Sequence, residues 1–241
     1  MPQETAVIIG AGDALGSAIA RRFAREGYFV CLARRTPEKL AALVEGIQSA
    51  GGNARAFGVD ARKEDQVVEF FAQVEREIGP VAIVVFNIGA NVQFLLVETD
   101  AQKYFKVWEM CAFAGFLTAR EAAKVMLPRG RGSLIFTGAT ASVRGGKHYA
   151  AFSGGKHALR ALAQSTAREL GPQGIHVAHL VIDGSIDTEF IRTLFPERYE
   201  LKSLDGILNP DHIAENYLFL HQQPRDAWTF EMDVRPYLEA W

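Results

Sequence analysis

A lysine and two aromatic residues could form one reactive surface in the segment TGATASVRGGKHYAAFSGGKHAL, residues 137–159. If the chain is helical from Tyr149 onward, Tyr149, Phe152 and Lys156 follow one another at spacings of three and four, so their side chains share one helix face. A lysine on such a face indicates a reacting group nearby. Phe152 has no hydroxyl, so the question is which group transfers a proton there.

Four polar residues near Phe152 could supply that proton: Tyr149, His148, Thr140 and Ser153, which follows Phe152 directly. Tyr149 is the best candidate, because it lies one helical turn ahead of Phe152 on the same face; the alternative is an aromatic ring packed at the helix entry. Thr140 should point to the opposite side of its strand from Ala139 unless the strand bends there, which makes it a weaker candidate. His148 fits either proton transfer or a solvent-exposed loop position, and the loop position is favoured.

A glycine-rich turn follows the first apolar run, AVIIG. Gly10, Gly12 and Gly16 open a helical pattern of Ala, Arg and Phe. Glycines at a strand-to-helix turn let the backbone approach a pyrophosphate, and the helix N-terminus supplies amide donors and partial positive charge. The third glycine comes four residues after the second, unlike the usual fingerprint, and a glycine turn without a ligand is the alternative.

The second strand-like run ends in two arginines, Arg34 and Arg35, where an acidic residue would bind the adenosine ribose of NAD. Guanidinium groups there favour a 2′-phosphate through bidentate, charge-assisted contacts. We therefore predict NADP(H) as the cofactor, with NAD(H) as the second possibility. The alternative is that one arginine of the pair only faces solvent.

Short β-branched runs alternate with longer helical patterns along the 241 residues. This alternation predicts an α/β fold: a single Rossmann-like, doubly wound parallel sheet with helices on both faces. We find no repeat or linker, so residues 1–241 are predicted to form one domain. Residues 185–208 interrupt the alternation of strand-like and helical segments, which is typical of a surface loop and often of a substrate lid.

The composition excludes several classes of protein. Lys and Arg number 26 against 28 Asp and Glu, and the basic residues form no long run, so nucleic acid is not expected as a partner. No apolar stretch is long enough to span a membrane, and the N-terminus leaves no room for a signal peptide. Cys31 and Cys111 lack metal-ligand spacing, so we predict no metal site and a cytoplasmic location.

These residues together resemble the short-chain dehydrogenase/reductase family over nearly the whole chain. The resemblance lies in the glycine turn, in FNIGA from Phe86, in YAAFSGGKHAL and in DGSIDT, which is similar to the family's Pro-Gly-x-x-x-Thr loop at the nicotinamide carboxamide. It implies an oxidoreductase acting on a carbonyl or alcohol, with Lys156 as the family's catalytic lysine. The cofactor-binding positions that we assign are Gly10, Gly12, Leu15, Gly16, Arg34, Arg35, Asp60 (adenine), Asn87, Gly89, Lys156, Gly184, Ile186 and Thr188.

The sequence departs from the family pattern at the proton-transfer positions. The family tyrosine four residues before the lysine is Phe152 here, and the family serine is Ala139. The family asparagine falls on Cys111 or Ala112. Two cofactor positions also differ: Ala14 stands at the middle glycine and Asp183 at the proline before Gly184. Losing the phenol removes the general acid of this family, so we assign Lys156 and Tyr149 as the catalytic pair.

Gly154 and Gly155 lie inside the predicted active-site helix, where each costs roughly 0.5 to 1 kcal/mol relative to alanine. Close approach of a neighbour would compensate for this cost. In the family this helix usually packs against its copy in a second subunit, so a homodimer or homotetramer is expected.

Three hypotheses for function stay open at this stage. The first is an NADP(H)-dependent oxidoreductase with a rearranged proton donor and an unknown small-molecule substrate. The second is a nucleotide-binding sensor without turnover, and the third is a structural oligomer that retains only the fold.

Overall fold

The predicted alternation of strands and helices is present in a computed structural model, which describes residues 3–12 and 14–240. The strands are β1 (Thr5–Ile9), β2 (Phe29–Arg34), β3 (Asn53–Gly58), β4 (Val81–Phe86), β5 (Gly132–Thr137), β6 (Ile175–Ile182) and β7 (Glu231–Val234). The helices are α1 (Leu15–Arg25), α2 (Ala41–Ser49), α3 (Glu64–Glu77), α4 (Ala101–Trp108), α5 (Ala114–Met126), α6 (Ala150–Leu170), α7 (Glu189–Leu194), α8 (Pro196–Glu200) and α9 (Pro210–His221).

The seven strands form one parallel sheet in the order β3-β2-β1-β4-β5-β6-β7. The order reverses between β1 and β4, so the loops after these two strands leave the sheet in opposite directions. In open α/β sheets the crevice at such a switch point, outside the carboxyl ends of the strands, is where ligands bind. The glycine turn follows β1, and the Asn87–Gly89 segment follows β4.

Helices cover both faces of the sheet, which confirms the predicted doubly wound α/β fold. Buried side chains of α3, α5 and α6 pack on one face, where Phe71, Leu117 and Leu159 are almost inaccessible to solvent. Buried side chains of α1, α2 and α9 pack on the other face, among them Phe23 and Tyr217. The central strands are buried on both faces, which explains their continuous apolar sequences.

A π-helical turn joins α4 to α5 at Glu109–Phe113. It contains Cys111, which lies against α6: a Cβ on Gly155 would be 3.0 Å from the Cys111 Cβ. A Cβ on Gly154 would likewise collide with the Tyr104 hydroxyl. The two glycines of α6 thus face close neighbours within the same chain.

Residues 185–208 contain α7, α8 and a short 3-10 turn, and an isolated bridge pairs Ile186 with Leu208 at their two ends. Phe190, Leu194 and Leu204 are exposed apolar side chains in this segment. In the described part of the chain, no helix is long and apolar enough to cross a membrane.

Candidate active site

The glycine turn after β1 is shaped by contacts that exclude side chains. Gly10 has a φ of 89°, and a Cβ on Gly16 would lie 2.8 Å from the Gly10 carbonyl oxygen. By contrast, a Cβ on Gly12 would meet nothing within 4 Å, so there is open space above this residue. The Ser17 hydroxyl donates a 2.5 Å hydrogen bond to the Gly12 carbonyl and closes the turn. The turn thus leaves open space at the N-terminus of α1, where backbone N–H groups and the helix dipole favour an anionic group.

The start of α1 places two further residues of this turn. Leu15 is the first residue of the helix and is buried against the core. Ala14, at the position of the family's middle glycine, precedes it with φ −114° and ψ −102°.

The adenosine end of the crevice is bordered by the predicted arginines. Arg34 is the last residue of β2 and half-buried, and Arg35 follows it with an exposed side chain. Asp60, after β3, accepts hydrogen bonds from the Arg62 guanidinium at 2.6 and 2.9 Å. These hydrogen bonds are the largest cause of the lowered pKa of Asp60. The carboxylate predicted to contact adenine is therefore already bonded within the chain.

The segment after β4 joins the glycine turn to the active-site helix. The backbone N–H of Asn87 donates to the Ile9 carbonyl at 2.8 Å, and its side-chain Nδ2 donates to the Gly10 carbonyl at 3.2 Å. Gly89 faces Lys156: a Cβ on this glycine would be 3.7 Å from the lysine Nζ. The structure thus brings Gly10, Asn87, Gly89 and Lys156 together along one crevice.

Lys156 is buried, with 3% of its surface exposed, on the face of α6 toward the sheet. Its Nζ donates hydrogen bonds to the carbonyl oxygens of Thr137 at 2.8 Å and Ile88 at 3.1 Å. An ammonium group has three donors, so these two bonds leave one N–H for another acceptor. Burial lowers the pKa of this lysine, while the nearby Cys111 opposes that effect.

An apolar cluster surrounds Phe152 and Ala139, the residues that the resemblance aligns with the family's hydroxyl groups. Phe152, Cys111 and Ala141 are buried together, and Ala139 packs against them. Burial also raises the pKa of the Cys111 thiol, so this group is neutral at physiological pH. Phe152 is 7% exposed. Neither the Phe152 ring nor the Ala139 methyl group in this cluster can transfer a proton.

Tyr149 lies at the N-cap of α6 rather than inside it, because the helix begins at Ala150. The preceding residue, His148, has a φ of 71° and so adopts the left-handed conformation, which is not compatible with the helix. The Tyr149 and Phe152 rings are neighbours, with centroids 6.4 Å apart. The Tyr149 hydroxyl accepts a 2.5 Å hydrogen bond from Gln93 Nε2, in the loop after β4. Tyr149 thus stands further out along the crevice than Phe152.

Thr140 does not supply a hydroxyl to the Phe152 position. Strand β5 ends at Thr137, and Thr140 begins a 3-10 turn, where its hydroxyl donates a 2.6 Å hydrogen bond to Asp183. Asp183 is buried and also contacts the guanidinium groups of Arg144 at 3.2 Å and Arg235 at 3.3 Å. This carboxylate therefore ties the loop after β5 to the C-terminal segment.

The loop after β6 carries the last predicted cofactor residues. Gly184 has a φ of 148°, and a Cβ there would lie 2.7 Å from Pro236 Cδ, so only glycine fits. Ile186 forms the bridge to Leu208, and the Thr188 hydroxyl accepts the Ile191 amide at the start of α7. These three residues follow β6 at the carboxyl edge of the sheet.

Sequence reasoning missed several residues that lie beside this site. Gln93 had no pattern that could reveal it, because its contact with Tyr149 joins residues 56 positions apart. The same is true of a partly buried network near Lys156, in which Glu231 of β7 accepts hydrogen bonds from Arg160 and His179. Arg160 is one helical turn after Lys156, a spacing that could have indicated a shared face.

Comparisons with known proteins place these features in context. A family model described as short chain dehydrogenase matches residues 4–198. A short-chain dehydrogenase structure from Rhodopseudomonas palustris is 46% identical, with a TM-score of 0.84 over 97% of this chain and 99% of that one. A metagenomic short-chain oxidoreductase solved in complex with NADP is 26% identical, with a TM-score of 0.83 over 98% of both chains. A 3-oxoacyl-acyl-carrier-protein reductase from Mus musculus is 29% identical over 90% of each chain.

Proposed function

Because this chain belongs to the short-chain dehydrogenase family, we propose that it is an NADP(H)-dependent oxidoreductase acting on a carbonyl or alcohol substrate. The observation that carries the proposal is the position of Lys156. This lysine is buried at the crevice beside Gly89 and has one N–H not used by Thr137 or Ile88. Burying a charged lysine is costly, so its retention there is best explained by a ligand.

Each part of the crevice has a role in holding the cofactor. The open turn at Gly12 and the N-terminus of α1 bind the pyrophosphate, while Arg34 and Arg35 bind the 2′-phosphate. The third N–H of Lys156 donates to a ribose hydroxyl of the nicotinamide half. When bound, the reduced cofactor supplies a hydride to the substrate carbonyl carbon. The NADP held by the similar metagenomic oxidoreductase supports this choice of cofactor.

Tyr149 is proposed to transfer the proton that accompanies the hydride. Its phenol oxygen accepts a hydrogen bond from Gln93, which leaves the hydroxyl proton available to a substrate oxygen. The hydroxyl of Thr140, a weaker candidate from the sequence, is used by Asp183. A general acid must come within about 3 Å of the oxygen it protonates, directly or through one water. Tyr149 therefore requires a substrate that extends outward past Phe152.

The first experiment measures cofactor binding and turnover separately. NADPH is titrated by fluorescence, and oxidation of NADPH is then followed against a panel of ketones and aldehydes. Tyr149→Phe removes one oxygen and little volume, so turnover should fall by about 100-fold or more while NADPH affinity is unchanged. Tyr237→Phe, at a 76% exposed tyrosine, is the control and should retain wild-type turnover. Undiminished turnover in Tyr149→Phe would exclude the phenol as the donor.

A nucleotide-binding sensor without turnover is the second candidate. The observation that favours it is the apolar cluster of Phe152, Ala139 and Cys111 around Lys156. A sensor would bind NADPH in the titration, yet it would oxidise none on any substrate of the panel. The turnover assay therefore distinguishes the two candidate functions, whereas the NADPH titration does not.

We also propose a homodimer or homotetramer and a substrate-binding role for residues 185–208. The aromatic side chains Phe105, Trp108, Phe113 and Phe116 stack in a row along α4 and α5, and Phe105 and Phe116 are exposed. A second copy of the chain would cover this row. Sedimentation velocity measures the oligomeric state, and Phe105→Glu with Phe116→Glu should yield monomers.

A further inference from the structure

The hydrogen bond between Gln93 and Tyr149 is the contact from which we draw a further inference. Gln93 lies in the loop after β4 and Tyr149 at the entry to α6, and the amide Nε2 is 2.5 Å from the phenol oxygen. We propose that Gln93 is the positioning residue for proton transfer by Tyr149. This proposal rests on the oxidoreductase function proposed above and adds a residue to it.

The direction of the hydrogen bond gives Gln93 its role. An amide nitrogen carries two N–H groups and can only donate, so the phenol oxygen is the acceptor. The phenol has one proton of its own, and this proton is not used by Gln93. It can therefore be directed at a substrate oxygen. As that proton leaves, negative charge develops on the phenol oxygen, and the N–H of Gln93 is already placed to stabilise it.

A separate contact holds the two loops together without the Gln93 side chain. The backbone amide of Phe94 donates a 2.8 Å hydrogen bond to the carbonyl of His148, next to the Gln93–Tyr149 pair. The side chain of Phe94 also packs against the apolar cluster around Phe152. Because these contacts fix the loop, removing the carboxamide of Gln93 should leave the backbone in place. The side chain is thus available for a role beyond folding.

Space for a substrate adjoins this pair. Gln93 and His148 line a cavity of about 300 Å³, together with Phe94, Leu95, Glu98 and Lys103. The cavity is large enough for the outer part of a small organic molecule. A substrate that reaches from the crevice into this cavity would pass the Tyr149 hydroxyl. The hydrogen bond from Gln93 would then hold the phenol at the edge of the substrate path.

The kinetic test is a double-mutant cycle between residues 93 and 149. Gln93→Met keeps the length of the side chain but cannot donate, so kcat should fall about three- to ten-fold while KM for NADPH is unchanged. In the Tyr149→Phe background, Gln93→Met should cause no further loss, because the phenol through which it acts is absent. Gln222→Met, at an exposed residue after α9, is the matched control for the loss of a surface carboxamide and should retain wild-type kcat.

Gln93→Glu tests the direction of the hydrogen bond. A carboxylate accepts the phenolic proton instead of donating to the oxygen, so this variant should be slower than Gln93→Met. If it is as active as the wild type, the phenol donates to residue 93 in the native protein and the proposal is wrong. Equal losses from Gln93→Met with and without Tyr149 would show that Gln93 acts on folding and not through the phenol.

A spectroscopic readout separates this inference from the proposed function. In protein labelled with ¹³C at the tyrosine Cζ, the Tyr149 resonance is identified by its disappearance in Tyr149→Phe. Its chemical shift should move in Gln93→Met and stay in Gln222→Met, with no cofactor or substrate present. An unchanged shift contradicts the contact itself. A changed shift in a protein that turns over no substrate instead overturns the oxidoreductase function, and the catalytic role of Gln93 with it.

Discussion

The carboxylate of Asp183 accepts a 2.6 Å hydrogen bond from the hydroxyl of Thr140. The two residues stand on the loops that follow β6 and β5, at the carboxyl edge of the sheet. Asp183 occupies the position of the family's proline, and its two oxygens also bind the guanidinium groups of Arg144 and Arg235. The carboxylate of Asp183 thus fixes the loop that carries Gly184, a role that the rigid ring of a proline has in the family pattern.

Asp183→Asn should lower the free energy of unfolding by about 2 kcal/mol, because hydrogen bonds and ion pairs to a buried charge are lost. Asn keeps an oxygen for Thr140 but cannot pair with two arginines. Urea denaturation measures the loss, and Asp211→Asn, at an exposed ion pair with Arg21, is the matched control. A loss no larger than that of Asp211→Asn would contradict the prediction.

The buried His179 and the half-buried His221 should make the protein sensitive to mild acid. Burial lowers the pKa of His179 and of His221 to about 4 each. The unfolded chain binds protons at these residues near pH 6.5 while the folded protein does not, so stability falls as the pH decreases from about 6.5 to 4. Each histidine should cost about 2 kcal/mol of unfolding free energy between pH 7 and pH 5.

Urea denaturation at pH 7, 6 and 5 tests this slope. His179→Gln should show a smaller decrease between pH 7 and 5 than the wild type, whatever its stability at pH 7. His212→Gln, at an exposed histidine on α9, should retain the full decrease. Glu231, whose pKa is lowered mainly by its hydrogen bond from Arg160, contributes only near and below its ordinary value of 4.5. Parallel slopes for the wild type and His179→Gln would be inconsistent with the prediction.

Local patterns in the sequence were sufficient for the sheet and for most of the crevice. The short apolar runs coincide with strands, as AVIIG at residues 6–10 does with β1, because the residues of a buried strand are consecutive in the sequence. Gly10, Gly12 and Gly16 could be assigned for the same reason. Lys156 followed from the match to the family helix.

Contacts between distant segments could not be predicted in this way. Asp183 contacts Thr140, 43 positions earlier, and Arg235 near the C-terminus, and nothing in the local sequence of each loop indicates these pairs. The helix start is a second example: the spacing suggested that Tyr149 is helical, whereas the left-handed backbone at His148 delays α6 to Ala150. Such details depend on how the loops pack on each other.

The two arginines at the end of β2, Arg34 and Arg35, should give the protein a preference for NADPH. Fluorescence titration of the intact protein should give an affinity for NADPH about tenfold or more above that for NADH, because the 2′-phosphate gains charge-assisted hydrogen bonds. Replacing Arg34 and Arg35 together with Ala should remove most of this difference. Arg25→Ala, at an exposed residue ending α1, should leave it intact. Equal affinities in the wild-type protein would exclude a role for the pair.

Restoring the family's hydroxyl groups should create or increase carbonyl reduction. The Phe152 ring lies beside Gly89 and Lys156, since a Cβ on Gly89 would be 4.0 Å from Phe152 Cε2. Phe152→Tyr adds a hydroxyl to this ring, and Ala139→Ser adds the partner hydroxyl within the same apolar cluster. A positioned proton donor typically contributes about 100- to 10,000-fold in rate, which is the upper limit of the expected gain.

NADPH oxidation with a panel of ketones measures this gain, and Phe219→Tyr, at an exposed residue on α9, controls for the added hydroxyl. If Tyr149 is the native donor, the double variant should also retain turnover when Tyr149→Phe is added, because the new phenol at residue 152 replaces the lost one. If the protein is a sensor, the double variant should instead show activity where the wild-type protein shows none. The double variant is measured both with Tyr149 and with Tyr149→Phe. If neither protein gains turnover while stability and NADPH affinity are unchanged, the crevice does not hold a substrate carbonyl beside residue 152.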